Sequence, residues 1–556
     1  MNKKYNQRVT SIYFAFIVLI VVILARIFYL QLFRSNFFQN LAQDQRYRLV
    51  KIQGKRGSIF DCRRRILSKS ISCYSVFADP FFVSNPEKVA EIFSINLDLS
   101  KESILFRLEK KKRFVWIKKK ISWEEKEKIK GFKLDGIGFI RDEKRFYPQG
   151  SLSATVLGSV NIDNHGLEGL EFFYNDYLSG KDGWVRVLRD SVSREIIFSP
   201  QIISPQEGAD IVLSLDAQIQ YWVEEYLGKA VEDFRAVAGS VVVMNAVNGE
   251  ILALANYPSF NPNELGKNLP EQMRNRAVAD MFEPGSVFKV VTLLAAVNED
   301  MFANQDKIFC ENGKFKIPGT ILHDWKSYGE LSFKEVFMKS SNIGAAKIVQ
   351  ALGFEVFSSY LKRLEFGCVS GIDLPAEAKG SVKSISNCSK TSPYIMPIGQ
   401  EIAVNLLQLA RTFAVVANGG YLVTPHLVTS ICSQNSCKSV PVQVRKKVIP
   451  TAAANRAKDI LISVVSEGTG KRAQVKKRKI GGKTGTAQKY DPEIKKYSSS
   501  KYRATFVGFI ADSIPPLVIG VTVDEPKRSH FGGVVAAPVF KNIAEKIIGY
   551  TEGLEN

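Results

Sequence analysis

The sequence predicts an α+β protein that begins with a transmembrane helix and continues into further domains. Two observations support this prediction. Residues 11–25 are wholly apolar or small, and the C-terminal half places strand-like runs on either side of apolar helical runs. Outer strands with central helices are typical of a layered domain in which helices flank a sheet. The chain has 556 residues, which is enough for roughly two to four domains.

The apolar run near the N-terminus predicts a membrane anchor. Because about 20 residues are needed to cross a bilayer, the helix must extend to Thr10 or past the interrupting Arg26. The segment before it contains three basic residues and no acidic one: Lys3, Lys4 and Arg8. This bias favours a cytoplasmic N-terminus. We expect a cytoplasmic tail over residues 1–9, a signal-anchor over 10–33 and the rest outside the cytoplasm; a cleaved signal peptide is the alternative.

A change of pattern near residues 206–208 divides the rest of the chain. Residues 34–205 mix short strand-like runs with charged helical stretches, whereas residues 206–556 predict a more regular sheet with helices. The predicted strands there are 211–215, 240–244, 250–254, 505–510 and 517–523, and the predicted helices are 216–230 and 539–548. Asn248-Gly249 lies between the second and third of these strands, which is typical of a hairpin.

The segment Ser286-Val287-Phe288-Lys289 is a candidate nucleophile with its own base. It follows a Pro-Gly turn and starts an apolar run that predicts a buried helix. Ser286 would therefore lie at a helix N-terminus, where negative charge is favoured. Lys289 lies one turn further along the same face. Lysine can take the serine proton only when it is neutral, which burial and a second cation such as Lys483 both promote. The alternative is a capping serine with a solvated lysine.

Ser340-Ser341-Asn342 lies between two predicted helical segments. Ser340 could relay a proton between Lys289 and a departing amine, and Asn342 could hold an amide of the reacting molecule. A polar helix cap is the alternative interpretation of this tripeptide.

Lys483-Thr484-Gly485 follows two glycines and predicts an exposed strand edge. Such an edge offers N–H groups to an extended peptide, and Lys483 and Thr484 could bind a terminal carboxylate. Because Gly485 has no side chain, we expect a ligand to approach the backbone closely there. The backbone N–H groups of Ser286 and Thr486 are candidates for an oxyanion hole.

The three motifs, in this order, are the signature of penicillin-binding proteins and serine β-lactamases. Over nearly its whole length the chain resembles the class B penicillin-binding proteins, the monofunctional peptidoglycan transpeptidases. Further family-like stretches are residues 56–61, 145–148, 166–171, 248–253, 258–263, 275–277, 399–401 and 532–533. Two positions depart from the family pattern. The usual D-R-N-G is here Asp61-Cys62-Arg63-Arg64, and Asn405 stands where Thr or Ser is more common.

The resemblance implies an elongated pedestal domain over residues 34–205 and a penicillin-binding transpeptidase domain over residues 206–556. It implies that Ser286 attacks the D-alanyl-D-alanine end of a peptidoglycan stem peptide, with an amine of a neighbouring stem resolving the ester. The implied catalytic residues are Ser286, Lys289, Ser340, Asn342 and Lys483, and the implied substrate-binding residues are Thr484, Gly485 and Thr486. No cofactor is implied.

The resemblance also implies partners and a location. The expected ligands are stem peptides, a lipid-linked precursor and β-lactams as covalent inhibitors. The expected location is the cytoplasmic (inner) membrane, with most of the chain on the periplasmic side beside divisome membrane proteins and a cognate glycosyltransferase. The segment around Lys483 is most similar to the septal, division-specific type. The alternatives are an elongation transpeptidase, a catalytically idle division scaffold and a β-lactam sensor.

Composition excludes several other classes. The net charge is +21, with dense basic runs at residues 110–113, 118–120 and 471–479. No nucleic-acid recognition motif accompanies them, so we expect anionic lipid or glycan rather than nucleic acid as the attracting surface. The seven cysteines lack zinc-ligand spacing, and we expect no metal. Cys432 and Cys437 could close a small disulfide loop in an oxidising compartment.

Overall fold

The computed structural model describes residues 2–38, 47–52, 54–110, 112–189, 195–196, 202–267, 269–433, 436–441, 445–491 and 496–555. By its internal contacts the chain forms two compact units. The first comprises Met1–Lys55 and Gly180–Glu207, and the second comprises Arg56–Ser179 and Gly208–Asn556.

The first unit contains the N-terminal helix, Asn2–Phe33. Its stretch Tyr5–Phe33 has a mean hydropathy of 2.7 and is the one helix in the described ranges that is long and apolar enough to cross a membrane. The Arg26 guanidinium lies over the ring of Tyr29, an arrangement suited to a cation near a membrane interface. The same unit contains a four-stranded antiparallel sheet formed by Tyr47–Ile52, Gly183–Arg189, Glu195–Ile196 and Ile202–Ile203.

The second unit contains a seven-stranded sheet. The strands are Ser436–Ser439, Val428–Ser433, Asp210–Leu213, Ile59–Phe60, Ile66–Ala78 and Val115–Ile121 in spatial order, with Ile137–Phe146 also paired to Ile66–Ala78. The helices Pro86–Leu97, Lys101–Leu108 and Trp123–Gly131 pack beside it around Phe93 and Ile104. This sheet joins residues from both sides of the expected boundary at 205/206. Cys432 and Cys437 face each other on two of its strands and form a disulfide.

A five-stranded antiparallel sheet carries the motif Lys483-Thr484-Gly485. Its order is Ile251–Tyr257, Ala238–Asn245, Leu517–Asp524, Lys496–Ile510 and Ile480–Asp491. We call the last of these the edge strand. One face packs against the helices Ala217–Asp233 and Gly532–Glu555. The other packs against the helices Lys289–Asn298, Leu406–Ala417 and Thr451–Ser466. This is the predicted α+β arrangement of a sheet flanked by helices.

Smaller helices complete the second unit. The α-helices are Ala154–Leu157, Gly169–Phe173, Asn175–Leu178, Pro270–Met273, Arg276–Ala279, Phe333–Lys339, Asn342–Leu352, Phe354–Arg363 and Ser392–Ile395. Short strands pair as Lys307–Phe309 with Glu330–Ser332, Lys314–Ile317 with Thr320–His323, and Tyr421–Leu422 with Lys446–Lys447.

The C-terminal helix starts earlier than the sequence predicted. We expected residues 539–548, but the helix is Gly532–Glu555 and includes Pro538. A Cβ on Gly532 would lie 2.2 Å from the carbonyl oxygen of Gly485. The glycine therefore lets the helix start directly against the edge strand.

The two departures from the family pattern are accommodated differently. Arg64, which stands where the family has glycine, adopts a left-handed φ of 60°, a conformation that favours glycine. The turn is held by Asp61, whose Oδ1 accepts hydrogen bonds from the backbone N–H groups of Arg63 and Arg65 at 3.0 and 2.7 Å. Asn405 forms a capping box with Gln408 at the start of the helix Leu406–Ala417, a role well suited to asparagine.

Three family-like stretches meet in one buried ionic cluster. Glu171 accepts hydrogen bonds from Arg56 Nε at 2.7 Å and Arg145 Nε at 2.6 Å. All three side chains are 2% exposed or less. Burial alone would raise the pKa of Glu171, but the charges of Arg145 and Arg56 lower it below its ordinary value. The stretches at 56–61, 145–148 and 166–171 therefore have a structural role, since each supplies one charged side chain of this buried cluster.

Replacing Glu171 by glutamine is expected to destabilise the second unit by about 3–5 kcal/mol, because two buried guanidinium groups lose their counter-charge. Since the folded-state pKa of Glu171 lies below its unfolded value, this stabilisation is present above about pH 4.3 and is lost as the pH falls through the folded value. Thermal unfolding of the full chain in detergent at pH 7 measures the change. Asp163→Asn, which breaks an exposed pair with Lys119 at 2.9 Å, is the control and should shift the midpoint little; equal shifts would contradict the account.

Candidate active site

Ser286 lies in a tight turn at the start of a buried helix. A 3-10 turn, Gly285–Phe288, leads directly into the helix Lys289–Asn298. Gly285 has a φ of 57° and donates its N–H to the carbonyl oxygen of Gly399 at 3.1 Å. Ser286 remains half-buried although its immediate neighbours in the chain are buried. The turn therefore exposes the hydroxyl of Ser286 at the surface of an otherwise packed element.

Lys289 is completely buried and contacts the hydroxyl of Ser286. Its Nζ lies 3.1 Å from Ser286 Oγ, 2.8 Å from Asn342 Oδ1 and 2.7 Å from the carbonyl oxygen of Ser340. The two carbonyl-type oxygens can only accept, so they take two N–H bonds of the amine. The remaining position of Nζ is near two hydroxyls, with Ser286 Oγ at 3.1 Å closer than Ser340 Oγ at 3.3 Å. In a neutral amine this position is a lone pair able to receive the serine proton.

Ser340 bridges the two lysines. It ends the helix Phe333–Lys339 with a left-handed φ of 60°. Its Oγ lies 2.8 Å from Lys483 Nζ and 3.3 Å from Lys289 Nζ. The residue thus occupies the connection between helices that the sequence predicted, and its hydroxyl can pass a proton between two amines.

Hydrogen bonds fix both the side chain and the backbone of Asn342. Its side-chain Nδ2 donates to the carbonyl oxygen of His323 at 2.9 Å, which fixes Oδ1 toward Lys289. Asp324 accepts hydrogen bonds from the backbone N–H groups of Asn342 and Ile343 and, at 2.6 Å, from the hydroxyl of Ser341. Asp324 therefore anchors the start of the helix Asn342–Leu352 and was not predicted from the sequence.

Burial changes the charge state of both lysines. The pKa of Lys289 is lowered to about 7 by burial, against the opposing charge of Asp324. The pKa of Lys483 is lowered well below its ordinary value by burial and by the positive charge of Lys289. Two ammonium groups that share one serine hydroxyl in a buried site repel each other. Burial therefore favours a neutral lysine beside Ser286 near neutral pH.

The edge strand places Lys483, Thr484, Gly485 and Thr486 beside the turn of Ser286. Lys483 and Thr484 are buried rather than exposed, and Thr484 Oγ1 donates to Thr469 Oγ1 at 3.2 Å. A Cβ on Gly485 would lie 2.7 Å from Val287 Cγ2. The glycine therefore makes room for the nucleophile turn, and close approach of a ligand to its backbone stays a prediction.

The predicted residues divide into those that line an open cleft and those behind it. The cleft has a volume of about 440 Å³ including its mouth, and its lining includes Ser286, Asn342, Gln400, Thr486 and Glu283. Lys289, Ser340 and Lys483 form the connected hydrogen-bond chain behind Ser286. Thr484 and Gly485 are not part of the lining. The three sequence motifs thus meet at one place, and no cluster of metal-ligand type is present among the described residues.

Comparison with known proteins defines the class. Residues 239–545 match the family described as "Penicillin binding protein transpeptidase domain". Residues 51–213 match "Penicillin-binding Protein dimerisation domain". The two matches account for the serine-lysine site and for the domain that precedes it, which we expected as a pedestal.

Individual relatives agree with these matches. "Probable peptidoglycan D,D-transpeptidase PenA" of Neisseria gonorrhoeae is 33% identical over 97% of this chain and 92% of that protein. "Peptidoglycan D,D-transpeptidase FtsI" of Buchnera aphidicola is 29% identical over 97% of this chain and 93% of that protein. The crystal structure of penicillin binding protein 3 from Mycobacterium tuberculosis with aztreonam has a TM-score of 0.72 at 28% identity, covering 90% of this chain and 97% of that one. The chain belongs to the class B penicillin-binding proteins, the peptidoglycan D,D-transpeptidase enzymes, and carries one N-terminal helix suited to a single-pass anchor.

Proposed function

We propose that this chain cross-links peptidoglycan stem peptides during septum synthesis through an acyl-enzyme on Ser286. The observation that carries the chemistry is the position of Lys289 Nζ. It contacts Ser286 Oγ at 3.1 Å while two carbonyl-type oxygens accept its N–H groups, and Ser340 Oγ lies 3.3 Å away. A buried amine with a pKa of about 7 is a suitable base for a serine hydroxyl.

In the first half of the reaction, Ser286 Oγ attacks the carbonyl carbon between the two terminal D-alanines. Its proton moves to Lys289, and the backbone N–H groups of Ser286 and Thr486 stabilise the developing oxyanion. The C–N bond then breaks, and the departing D-alanine amine takes its proton from Lys289 through the hydroxyl of Ser340. Lys483, 2.8 Å from that hydroxyl, holds it in place.

Substrate binding is assigned to the edge strand. An extended peptide adds alongside it by main-chain pairing, and Thr486 contacts the peptide from the cleft lining. Asn342 holds an amide of the stem, and Lys483 with Thr484 attracts its terminal carboxylate. Gly485 contributes indirectly, because it lets the turn of Ser286 pack against the strand. β-Lactams acylate the same serine, in keeping with the aztreonam complex of the mycobacterial neighbour.

The septal role is supported by the FtsI name among the relatives and by the similarity of the segment around Lys483 to that type. The three basic residues before the apolar helix support a cytoplasmic N-terminus. The large domains then lie on the periplasmic side, on the same side as the peptidoglycan. Divisome membrane proteins and a cognate glycosyltransferase that supplies lipid-linked strands are the proposed partners.

Depleting the protein in a rod-shaped host is expected to give long cells with undivided septa, because cross-linking at the division site stops. Microscopy during depletion measures the outcome. A wild-type copy should restore division, and a Ser286→Ala copy that reaches the membrane should not. Rounded cells that still constrict would assign the chain to elongation, and restoration by Ser286→Ala would make it an idle scaffold.

A further inference from the structure

Glu283 lies at the entrance to the nucleophile turn, three residues before Ser286, and lines the same cleft as Ser286, Gln400 and Thr486. Its Oε1 accepts two hydrogen bonds: the backbone N–H of Glu401 at 2.9 Å and the hydroxyl of Tyr497 at 3.0 Å. These donors come from different parts of the chain, so the carboxyl group is held in one place. None of the described residues assigned above to acylation forms a hydrogen bond with it.

The hydrogen-bonding capacity of Glu283 is only partly used. Within the described ranges, no hydrogen bond reaches its Oε2 and no Lys or Arg forms an ion pair with it. The nearby Lys383 is paired instead with Glu401 at 3.1 Å. Burial and the charge of Glu401 raise the pKa of Glu283 above its ordinary value. A half-buried carboxylate without a cation is expected to attract one.

We propose that Glu283 binds the protonated amine of the acceptor stem peptide and takes one proton from it before that amine attacks the acyl-enzyme. This inference rests on the proposed function, since it concerns the second half of the same reaction. The donor peptide lies along the edge strand, and the acceptor approaches the ester from the side of the cleft that Glu283 lines. The ligand is therefore a primary ammonium group on a peptide or amino acid.

Atoms and charges balance in the proposed step. An ammonium group R–NH3⁺ gives one proton to the Glu283 carboxylate and becomes a nucleophilic amine. The C–N bond forms as the ester C–O bond to Ser286 breaks, and a second amine proton passes through Lys289 to Ser286 Oγ. The products are an amide, the free Ser286 hydroxyl and a protonated Glu283, which returns its proton to solvent. A carboxyl group with a raised pKa is a better acceptor for this proton than an ordinary one.

The test uses the full chain in detergent. It measures acylation of Ser286 separately from transfer of the acyl group to an amine. A thioester donor acylates Ser286, a D-amino acid serves as acceptor, and chromatography gives the ratio of amide to hydrolysis product. Glu283→Gln keeps a carbonyl oxygen for Tyr497 and Glu401 but removes the charge. We expect unchanged labelling by a fluorescent penicillin and a ratio of amide to hydrolysis product lowered by about 10- to 100-fold, the size of a lost hydrogen bond to a charged group.

Glu355→Gln is the matched control, because Glu355 is an exposed carboxylate on the helix Phe354–Arg363 and does not line the cleft; its ratio should equal that of the wild type. An unchanged ratio in Glu283→Gln would overturn the proposal. A parallel fall in penicillin labelling would also overturn it, since Glu283 would then only support the turn. If the wild-type acyl-enzyme transferred to no amine at all, the proposed cross-linking reaction would fail first and this inference with it.

Discussion

Replacing Ser286 by alanine is expected to abolish both covalent labelling by a penicillin and transfer to an amine acceptor, while the protein stays folded. The hydroxyl is half-buried and contacts few groups, so its loss removes the nucleophile without opening a cavity in the core. Fluorescent penicillin followed by gel electrophoresis measures the labelling, and thermal unfolding measures the fold.

A second serine serves as the control for this variant. Ser327 is exposed and donates to the carbonyl oxygen of Asn312 at 2.8 Å, outside the lining of the cleft. Ser327→Ala should label as the wild type does. Residual labelling of Ser286→Ala at the wild-type rate would show that another residue is the nucleophile.

Replacing Lys289 by arginine is expected to leave a folded protein whose acylation is slower by about 10²–10⁴-fold, the usual contribution of a positioned base. Guanidinium stays protonated at any working pH, so it cannot take the proton of Ser286. In the wild type, burial lowers the pKa of Lys289 to about 7, and the neutral fraction grows as the pH rises. The acylation rate of the wild type should therefore rise through about pH 7.

Stopped-flow acylation by a chromogenic β-lactam between pH 5 and 9 gives both results, since the profile of the wild type should show the rise and that of Lys289→Arg should lack it. Lys339→Arg is the control. Lys339 ends the helix Phe333–Lys339 and does not line the cleft, so this variant should reproduce the wild-type pH profile. Near-normal acylation by Lys289→Arg would mean that another group activates Ser286.

Hydrophobic runs and turn residues in the sequence predicted the helices and hairpins whose formation depends on residues close together in the chain. The N-terminal apolar helix, the hairpin of Ala238–Asn245 with Ile251–Tyr257, and the final two strands lie where hydrophobic runs and turn residues indicated. The seven-stranded sheet was not predicted. It pairs Ile59–Phe60 with a strand about 150 residues later, and such register depends on tertiary packing rather than on neighbouring side chains.

The same distinction applies within the site. Ser286 and Lys289 were predicted together because three residues on a helix fix their proximity. Asp324 has no such signal, since it reaches the site through a loop placed by the fold. Glu283 is near Ser286 in sequence, but spacing in a turn does not fix the direction of its side chain. The contact between Gly485 and the turn of Ser286 was not predicted for the same reason. The sequence context of Gly485 showed that the position needs space, but only the packed structure shows that Val287 fills that space.

The most direct test of the central claim is to trap and then resolve the acyl-enzyme of the full chain. Trypsin should release residues 277–289, between Arg276 and Lys289, as one peptide containing Ser286. After a thioester donor is added, mass spectrometry should find the acyl group on this peptide, and adding an amine acceptor should remove it with formation of the matching amide. An acyl group on any other residue, or one that leaves only as the hydrolysed acid, would contradict the account.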